Sequence, residues 1–212
     1  MSSVVVARPR PTRAELEAAR GGTIPDLVAP DLRVLFCGIN PGLYTTAIGC
    51  HFGRPGNRFW KALHLAGFTE RLLDPSEQAQ LLARELGITN LVARTTATAA
   101  ELSPAELRAG ATHLRGLVAD LRPRWLAMVG IDAFRVGFDA RDAVMGRQPQ
   151  TIGGTGLWVL PNPSGLNAHY QLIALGEAFG ELRRVAFGPR AAEAPIARLE
   201  VTGTQSGNPV EA

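Results

Sequence analysis

The sequence predicts an α/β protein in which helices surround a mostly parallel sheet of four strands. Short apolar runs recur along the chain, most of them end in Gly, Pro or Asn turns, and segments with helix caps lie between them. Apolar runs of this length are typical of strands buried on both faces. Strands that alternate with helices favour a parallel sheet.

The chain begins with a segment that is not part of this pattern. Residues 1–11 are predicted to form a loose tail, and Thr12 and Glu15 have the spacing of a capping box for a short helix that ends at Gly21. We assign residues 1–26 to this tail and accessory helix and residues 27–187 to one domain. Residues 188–212 lack periodicity and are expected to be poorly ordered.

The first half of the domain contains two predicted strands. The first covers residues 33–37 and is followed by a long functional loop, residues 38–56. Asn57 is a suitable cap for a helix that ends at Gly67. A second helix is predicted over residues 76–86, with Gly87 as its stop, and it leads into the apolar segment 88–92.

The second half begins with a strong helix signal. Ser103, Pro104 and Glu106 place a cap, a proline and a capping-box glutamate in register, which predicts a helix that continues to residue 122. Strands are predicted over residues 125–130 and 157–161, and Asp132 is expected to cap a short helix between them. The Gly153–Gly154 pair precedes a strand, so it is predicted to be a hairpin turn and not a phosphate loop. The last helix is predicted over residues 168–186.

Composition excludes several classes of protein. With 212 residues, 46% of them hydrophobic, the chain can bury a large core and is not a disordered protein. Its two cysteines are too few for a disulfide framework or for an iron–sulfur cluster held by thiolates. Its four histidines lack metal-ligand spacing, so no metal or cofactor is expected. No run approaches the roughly 18 apolar residues of a membrane span, and a cytoplasmic protein is expected. The net charge of +3, carried almost entirely by arginine, indicates nucleic acid only weakly.

The most informative motif is Gly38-Ile39-Asn40-Pro41-Gly42, which ends the first apolar run. Proline cannot donate to a sheet ladder, so the strand stops here and leaves Asn40 just beyond its carboxyl end. Ligands of open α/β sheets bind at such strand ends. A carboxamide is not a general base, but it can orient a water molecule. The alternative is that Asn40 only closes a turn.

Three motifs in this order resemble the mismatch-specific uracil-DNA glycosylases, relatives of thymine-DNA glycosylase. They are residues 38–42, His51-Phe52-Gly53-Arg54-Pro55-Gly56-Asn57-Arg58-Phe59-Trp60, and Asn162-Pro163-Ser164-Gly165-Leu166, and the resemblance spans residues 27–187. It implies a three-layer α/β/α sandwich and a monofunctional glycosylase of base excision repair that requires no cofactor. The implied substrate is double-stranded DNA with G·U or related mismatches, and the enzyme is expected to act as a monomer.

The resemblance assigns a base pocket to Ile39, Gly42, Phe52 and Asn162, with Asn40 aiming the attacking water. It implies that Phe52 stacks on the extruded base, whereas a loop phenylalanine more commonly fills the core. Stringent uracil-DNA glycosylases carry a tyrosine where this chain has Gly42. The pocket is therefore expected to accept uracil, bulkier lesions such as ethenocytosine, and thymine.

Contacts with DNA are expected from Thr45, Ser164, Gly165, Leu166 and Asn167 by the resemblance, and from Arg58 and Lys61 because they cluster around the pocket loop. Leu166 would fill the gap left by the extruded nucleotide, while backbone groups of Gly165 and Asn167 would face the widowed guanine. The alternative for Leu166 is a surface leucine. Arg58 and Lys61 would contact phosphates, or Arg58 would belong to a solvated helix face.

One position departs from this pattern. Relatives carry an acidic residue where this chain has Ala93. A site without a carboxylate would depend on orientation and solvent exclusion, which predicts slow turnover. The alternative function is a catalytically weak protein that binds DNA lesions or mismatches. No lysine occupies a matching nucleophile position, so a β-lyase step is not expected.

Overall fold

A computed structural model of the chain describes residues 10–165 and 170–188. It confirms the predicted α/β class and the mostly parallel sheet. The strands are β1 (Val34–Gly38), β2 (Leu86–Asn90), β3 (Trp125–Val129), β4 (Gly146–Ile152) and β5 (Thr155–Leu160). Their order is β2-β1-β3-β5-β4, and all neighbours are parallel except β4 and β5.

The sheet has five strands and not the predicted four. The additional strand, β4, is antiparallel to β5 and lies at the edge of the sheet. Its sequence is polar and contains Pro149, so it lacks the apolar run by which the other strands were predicted. The hairpin turn predicted at Gly153 and Gly154 is confirmed, and both glycines have positive φ, 54° and 93°.

Helices cover both faces of the sheet. They are α1 (Arg13–Ala18), α2 (Leu43–Ile48), α3 (Phe59–Leu65), α4 (Pro104–Leu121), α5 (Ile131–Gly137) and α6 (Leu172–Phe187), with 3-10 helices at Pro75–Arg84 and Ala99–Glu101. Side chains alternate along each strand: Phe36 packs with α3 and α6, whereas Leu35 packs with α4 and α5. None of the helices in the described residues is long and apolar enough to cross a membrane.

Local capping signals predicted several helix starts correctly. Ser103 and Glu106 form the expected capping box of α4, with Glu106 N–H donating to Ser103 Oγ at 3.2 Å and Ser103 N–H to Glu106 Oε2 at 2.9 Å. Thr12 and Glu15 form the same motif at α1. At α3 the prediction is off by one residue: Arg58, not Asn57, is at the N-cap position, although the Asn57 side chain accepts the Phe59 N–H at 2.9 Å.

Other boundaries differ from the sequence prediction. The loop 38–56 contains α2. The helix predicted over 76–86 is a 3-10 helix that ends at Arg84 and is followed by Glu85, whose φ is 57°. Gly87 is not its stop but lies within β2, where a Cβ would be 2.7 Å from the Leu27 carbonyl oxygen. Asp132 lies in the first turn of α5, which is capped by Gly130. In the described part of the chain α6 begins at Leu172, and the tail predicted over 188–212 lies outside the described residues except for Gly188.

The strand order explains where a ligand can bind. The chain leaves β1 to form β2 on one side and later returns to form β3 on the other side. Loops after β1 and β3 therefore diverge, and this leaves a crevice at their carboxyl ends. The crevice lies next to Asn40.

Candidate functional site

A cavity of about 620 Å³ occupies this crevice. Each parallel strand contributes to its wall: Asn40 follows β1, Asn90 ends β2, Asp132 follows β3 and Asn162 follows β5. Volumes of this size are typical of small-molecule sites, so the cavity is large enough for a group the size of one nucleobase. The structure thus brings together side chains from four strand ends.

The orientation of the Asn40 carboxamide is fixed by its nitrogen. Asn40 Nδ2 donates to Thr96 Oγ1 at 2.7 Å and to the Arg94 carbonyl at 2.9 Å, and it lies 3.2 Å from the Pro41 carbonyl. Carbonyl oxygens can only accept, so the group facing them must be the amide nitrogen. The Asn40 oxygen, on the other branch of the planar carboxamide, is then the acceptor available to the cavity.

Thr96 and Arg94, which accept the hydrogen bonds of Asn40, are fixed by further hydrogen bonds. Thr96 Oγ1 donates to the Thr98 carbonyl at 2.8 Å, so it must accept from Asn40. The Arg94 side chain binds Glu106, with Nε 2.9 Å from Oε1. The Ser103 backbone N–H, together with the Arg94 guanidinium, lowers the pKa of Glu106 and keeps it charged. The capping box of α4 is thereby connected to the segment that orients Asn40.

Phe52 packs against the core and also lines the cavity, so its stacking on a base stays a prediction. Its ring stacks on Phe59 with centroids 4.0 Å apart and an angle of 17° between the planes, which joins it to the core. The half-buried ring also lines the cavity. A ring has two faces, so packing on Phe59 is compatible with stacking on a ligand.

The other residues expected in the pocket are also in its wall. Ile39, Gly42 and Thr45 all line the cavity, and Thr45 is buried within α2, so its contact with DNA stays a prediction. A Cβ placed on Gly42 would meet no atom within 4 Å. Because the φ of Gly42 is −83°, glycine is not required there by the backbone.

The loop after β5 contributes Asn162 and Ser164 to the cavity. Asn162 Oδ1 accepts the Ser164 N–H at 3.0 Å, which fixes the turn that leaves the strand. Gly165 is exposed. Leu166 and Asn167, for which contacts with DNA are predicted, lie outside the described residues.

The two basic residues for which phosphate contacts are predicted have different surroundings in the structure. Lys61 is exposed on α3 and is not among the residues that line the cavity. Arg58 is half-buried and donates to backbone carbonyls of the β5–α6 loop. It therefore belongs neither to a solvated helix face nor to a freely projecting basic patch.

One carboxylate for which the sequence predicts no role in the site lies in the cavity wall. Asp132, predicted only as a helix cap, is an exposed residue that lines the cavity. Its position just beyond the carboxyl end of β3 is the signal that could have identified it. Ala93 is exposed and is not among the lining residues, so its catalytic role stays a prediction.

His51 lines the cavity but is anchored within the protein. It is 1% exposed, its ring Nε2 lies 3.0 Å from the Pro25 carbonyl oxygen, and its backbone carbonyl accepts the Trp60 indole N–H. Because a carbonyl only accepts, Nε2 must carry the proton. Burial lowers the pKa of His51, which favours the neutral ring. In residues 10–165 and 170–188, no group of three or more His, Cys, Asp or Glu side chains could hold a metal ion.

Two comparisons with known proteins bear on this site. The sequence model of the Uracil DNA glycosylase superfamily matches residues 25–183, well over half of the chain. The fold is similar to the solution NMR structure of a proposed uracil DNA glycosylase from Methanosarcina acetivorans, with a TM-score of 0.55 and 18% identity over 77% of this chain and 96% of that chain. This second likeness concerns the fold alone.

Proposed function

The chain belongs to the uracil DNA glycosylase superfamily, and from that premise we propose that it is a monofunctional, mismatch-specific member of the superfamily. Membership implies uracil-DNA glycosylase activity in base excision repair. The proposed substrate is uracil opposite guanine in double-stranded DNA, together with related lesions such as ethenocytosine. The products are the free base and an abasic site.

The fixed Asn40 carboxamide is the observation that carries this proposal. Its nitrogen is engaged by Thr96 and Arg94, so its oxygen can accept a hydrogen bond from a water molecule in the cavity. An extruded uracil would enter beside Phe52. The bond between C1′ and the base breaks with its electron pair leaving on uracil. The water oxygen bonds to C1′, and the proton that the water loses neutralises the uracil anion.

The space at Gly42 supports a permissive pocket. A side chain at this position would extend from the cavity wall with no neighbouring atom within 4 Å of its Cβ. Glycine therefore leaves volume that a substituent at the pyrimidine 5-position, or an etheno ring, can occupy. Lesions bulkier than uracil are thus proposed substrates.

A single-turnover assay with matched DNA tests the function. The substrates are otherwise identical duplexes with G·U, A·U or G·T pairs, and the single-stranded uracil oligonucleotide, with alkali cleavage of abasic sites as the readout. We expect excision to be fastest from G·U. Asn40→Ala should slow it by about a hundredfold or more because the water loses its acceptor.

Two results would contradict the proposal. Equal rates for wild-type protein and Asn40→Ala would remove Asn40 from the chemistry. Tight binding to G·U duplexes without any excision would instead support the alternative, a lesion- or mismatch-binding protein.

A further inference from the structure

The side chain of Arg58 binds the loop between β5 and α6 at three points. Its Nε lies 3.3 Å from the Pro163 carbonyl oxygen, Nη2 lies 2.5 Å from that of Ser164, and Nη1 lies 2.6 Å from that of Tyr170. The Arg58 backbone N–H also donates to Pro163, at 3.0 Å. One guanidinium thus holds carbonyls on both sides of the loop.

These contacts connect parts of the chain that are far apart in sequence. Pro163 and Tyr170 lie 105 and 112 positions after Arg58. The two loops are also in close contact at Gly165, where a Cβ would be 2.8 Å from the Gly56 carbonyl oxygen. Ser164 and Tyr170 line the cavity, so Arg58 fixes the backbone of two residues of the wall.

The chemistry of these contacts suits arginine in particular. A guanidinium presents its N–H donors in a rigid plane, so one side chain can bind several carbonyl oxygens at fixed separations. A lysine ammonium is a point charge and cannot reproduce this arrangement. Donors engaged by carbonyls are also not directed at a phosphate.

We propose that Arg58 is a positioning residue that holds the β5–α6 loop for duplex DNA. This inference rests on the proposed glycosylase function. Ser164 lines the cavity and Gly165, directly after it, is exposed, so both would meet the DNA that surrounds an extruded nucleotide. Loosening the loop should impair action on duplexes more than action on single strands, because single strands have no opposite strand to engage.

Arg58→Gln and Arg58→Lys test this role, with Arg54→Gln for comparison. Arg54 is an exposed arginine that lines the cavity, so it has the placement of a phosphate contact. The measurements are single-turnover excision from G·U duplex and from single-stranded uracil DNA. A second measurement is the affinity for a tetrahydrofuran abasic site in duplex and in single-stranded DNA, over a series of salt concentrations. This measurement does not depend on catalytic activity.

We expect both Arg58 variants to lose about tenfold to a hundredfold on the duplex and less than about threefold on single strands, in rate and in binding. For both Arg58 variants, the slope of log affinity against log salt concentration should match that of wild type. Arg54→Gln should reduce the magnitude of this salt slope by about one.

Four results would overturn the proposal. Equal losses on both DNA forms would indicate a merely structural role. Wild-type behaviour of Arg58→Lys, or a reduced salt slope in Arg58→Gln, would show that charge at a phosphate matters instead. Wild-type behaviour of both variants would show that Arg58 is dispensable. Binding by wild type without excision would refute the proposed catalysis, yet the binding comparison would still decide the role of Arg58.

Discussion

The carboxamide nitrogen of Asn40 lies 2.7 Å from the hydroxyl oxygen of Thr96, although the two residues are 56 positions apart in sequence. The contact joins the loop after β1 to the segment after β2. Thr96 N–H also donates to the Pro41 carbonyl at 3.2 Å, so backbone and side chain hold the same junction. A planar amide held in this way has its rotation about the side chain restricted before any substrate arrives.

Asn40→Asp should reduce excision by about a hundredfold. The aspartate replaces a donor with an oxygen that would face the carbonyls of Pro41 and Arg94, which are acceptors. Repulsion should therefore turn the side chain away from its present orientation and lower the thermal midpoint. Single-turnover rates and thermal unfolding check both effects.

Thr96 offers a matched pair of variants for the same contact. Thr96→Ser keeps the hydroxyl and should retain most of the single-turnover excision rate. Thr96→Val removes the hydroxyl and should lose most of that rate. If valine and serine behaved alike, the hydrogen bond to Asn40 would have no influence on catalysis.

Asp132→Asn should slow the chemical step while it strengthens binding to DNA. A carboxylate in the cavity wall favours the positive charge that develops on the sugar and disfavours nearby phosphates. An interaction of about 1 kcal/mol, as between unit charges about 4 Å apart in water, corresponds to roughly a fivefold change in rate. The single-turnover rate at saturating enzyme and the dissociation constant for DNA, measured separately, should both decrease.

Ala93→Asp belongs in the same series. If the missing acid at this position limits turnover, as the sequence predicts, the variant should be faster than wild type. An unchanged rate would favour Asp132 as the carboxylate that matters.

Gly42→Tyr should narrow the range of bases that the cavity accepts. A side chain is tolerated there because the backbone is extended and no atom lies within 4 Å of a Cβ. We expect excision of uracil to persist while excision of ethenocytosine and thymine is lost. Competition between lesions in single-turnover assays measures this. Gly116→Tyr, at an exposed glycine of α4 with open space around its Cβ, controls for the added aromatic ring.

The elements that could be predicted are those that a few adjacent residues define. Strands β1 and β3 are apolar runs, and the start of α4 is a capping box, so a few adjacent residues define each of them. Strand β4 has no such run because an edge strand needs fewer buried side chains. Helix α2 is only six residues long, too short for a clear periodic pattern.

Site residues could likewise be predicted only where adjacent residues mark them. Asn40 was predicted because its turn lies directly after a strand. The role of Arg58 depends on carbonyl oxygens more than 100 positions away, and carbonyls are present at every residue, so nothing in the sequence marks them. Asp132 lies between a strand and a helix in the sequence, which is typical of a helix cap, and only the arrangement of the strands in the sheet brings it into the cavity wall.

His51 should make the fold less stable as the pH falls below about 6.5, the ordinary histidine value. Burial lowers its pKa in the folded protein, so between that lowered value and the ordinary one the unfolded chain binds more protons. Stability contributed by the neutral ring is therefore complete above this window and declines as the pH falls through it. His51→Gln keeps a donor for Pro25 but does not titrate.

Thermal midpoints of both proteins at about pH 8 and about pH 5.5 test this prediction. The decline should be steeper for wild type than for His51→Gln. Parallel declines would assign the pH dependence to other groups.

Two glycines of α4 provide a test of helix packing. A Cβ at Gly110 would collide with the Leu91 carbonyl oxygen, whereas one at Gly116 would meet nothing within 4 Å. Gly110→Ala should therefore lower the free energy of unfolding by about 1–3 kcal/mol. Gly116→Ala should raise it by up to about 1 kcal/mol through helix propensity. Urea unfolding of both variants decides the matter, and equal shifts would show that the close approach of α4 to Leu91 is not rigid.

The two outer strands of the sheet have a consequence for self-association. Leu27 exchanges backbone hydrogen bonds of 2.8 Å with Ile88 and so covers the outer side of β2. At the opposite edge, β4 contains Pro149, which has no N–H, and its register with β5 shifts between Arg147 and Thr151. Neither edge is a regular template for a strand from another molecule, which disfavours edge-to-edge pairing of the sheet between molecules.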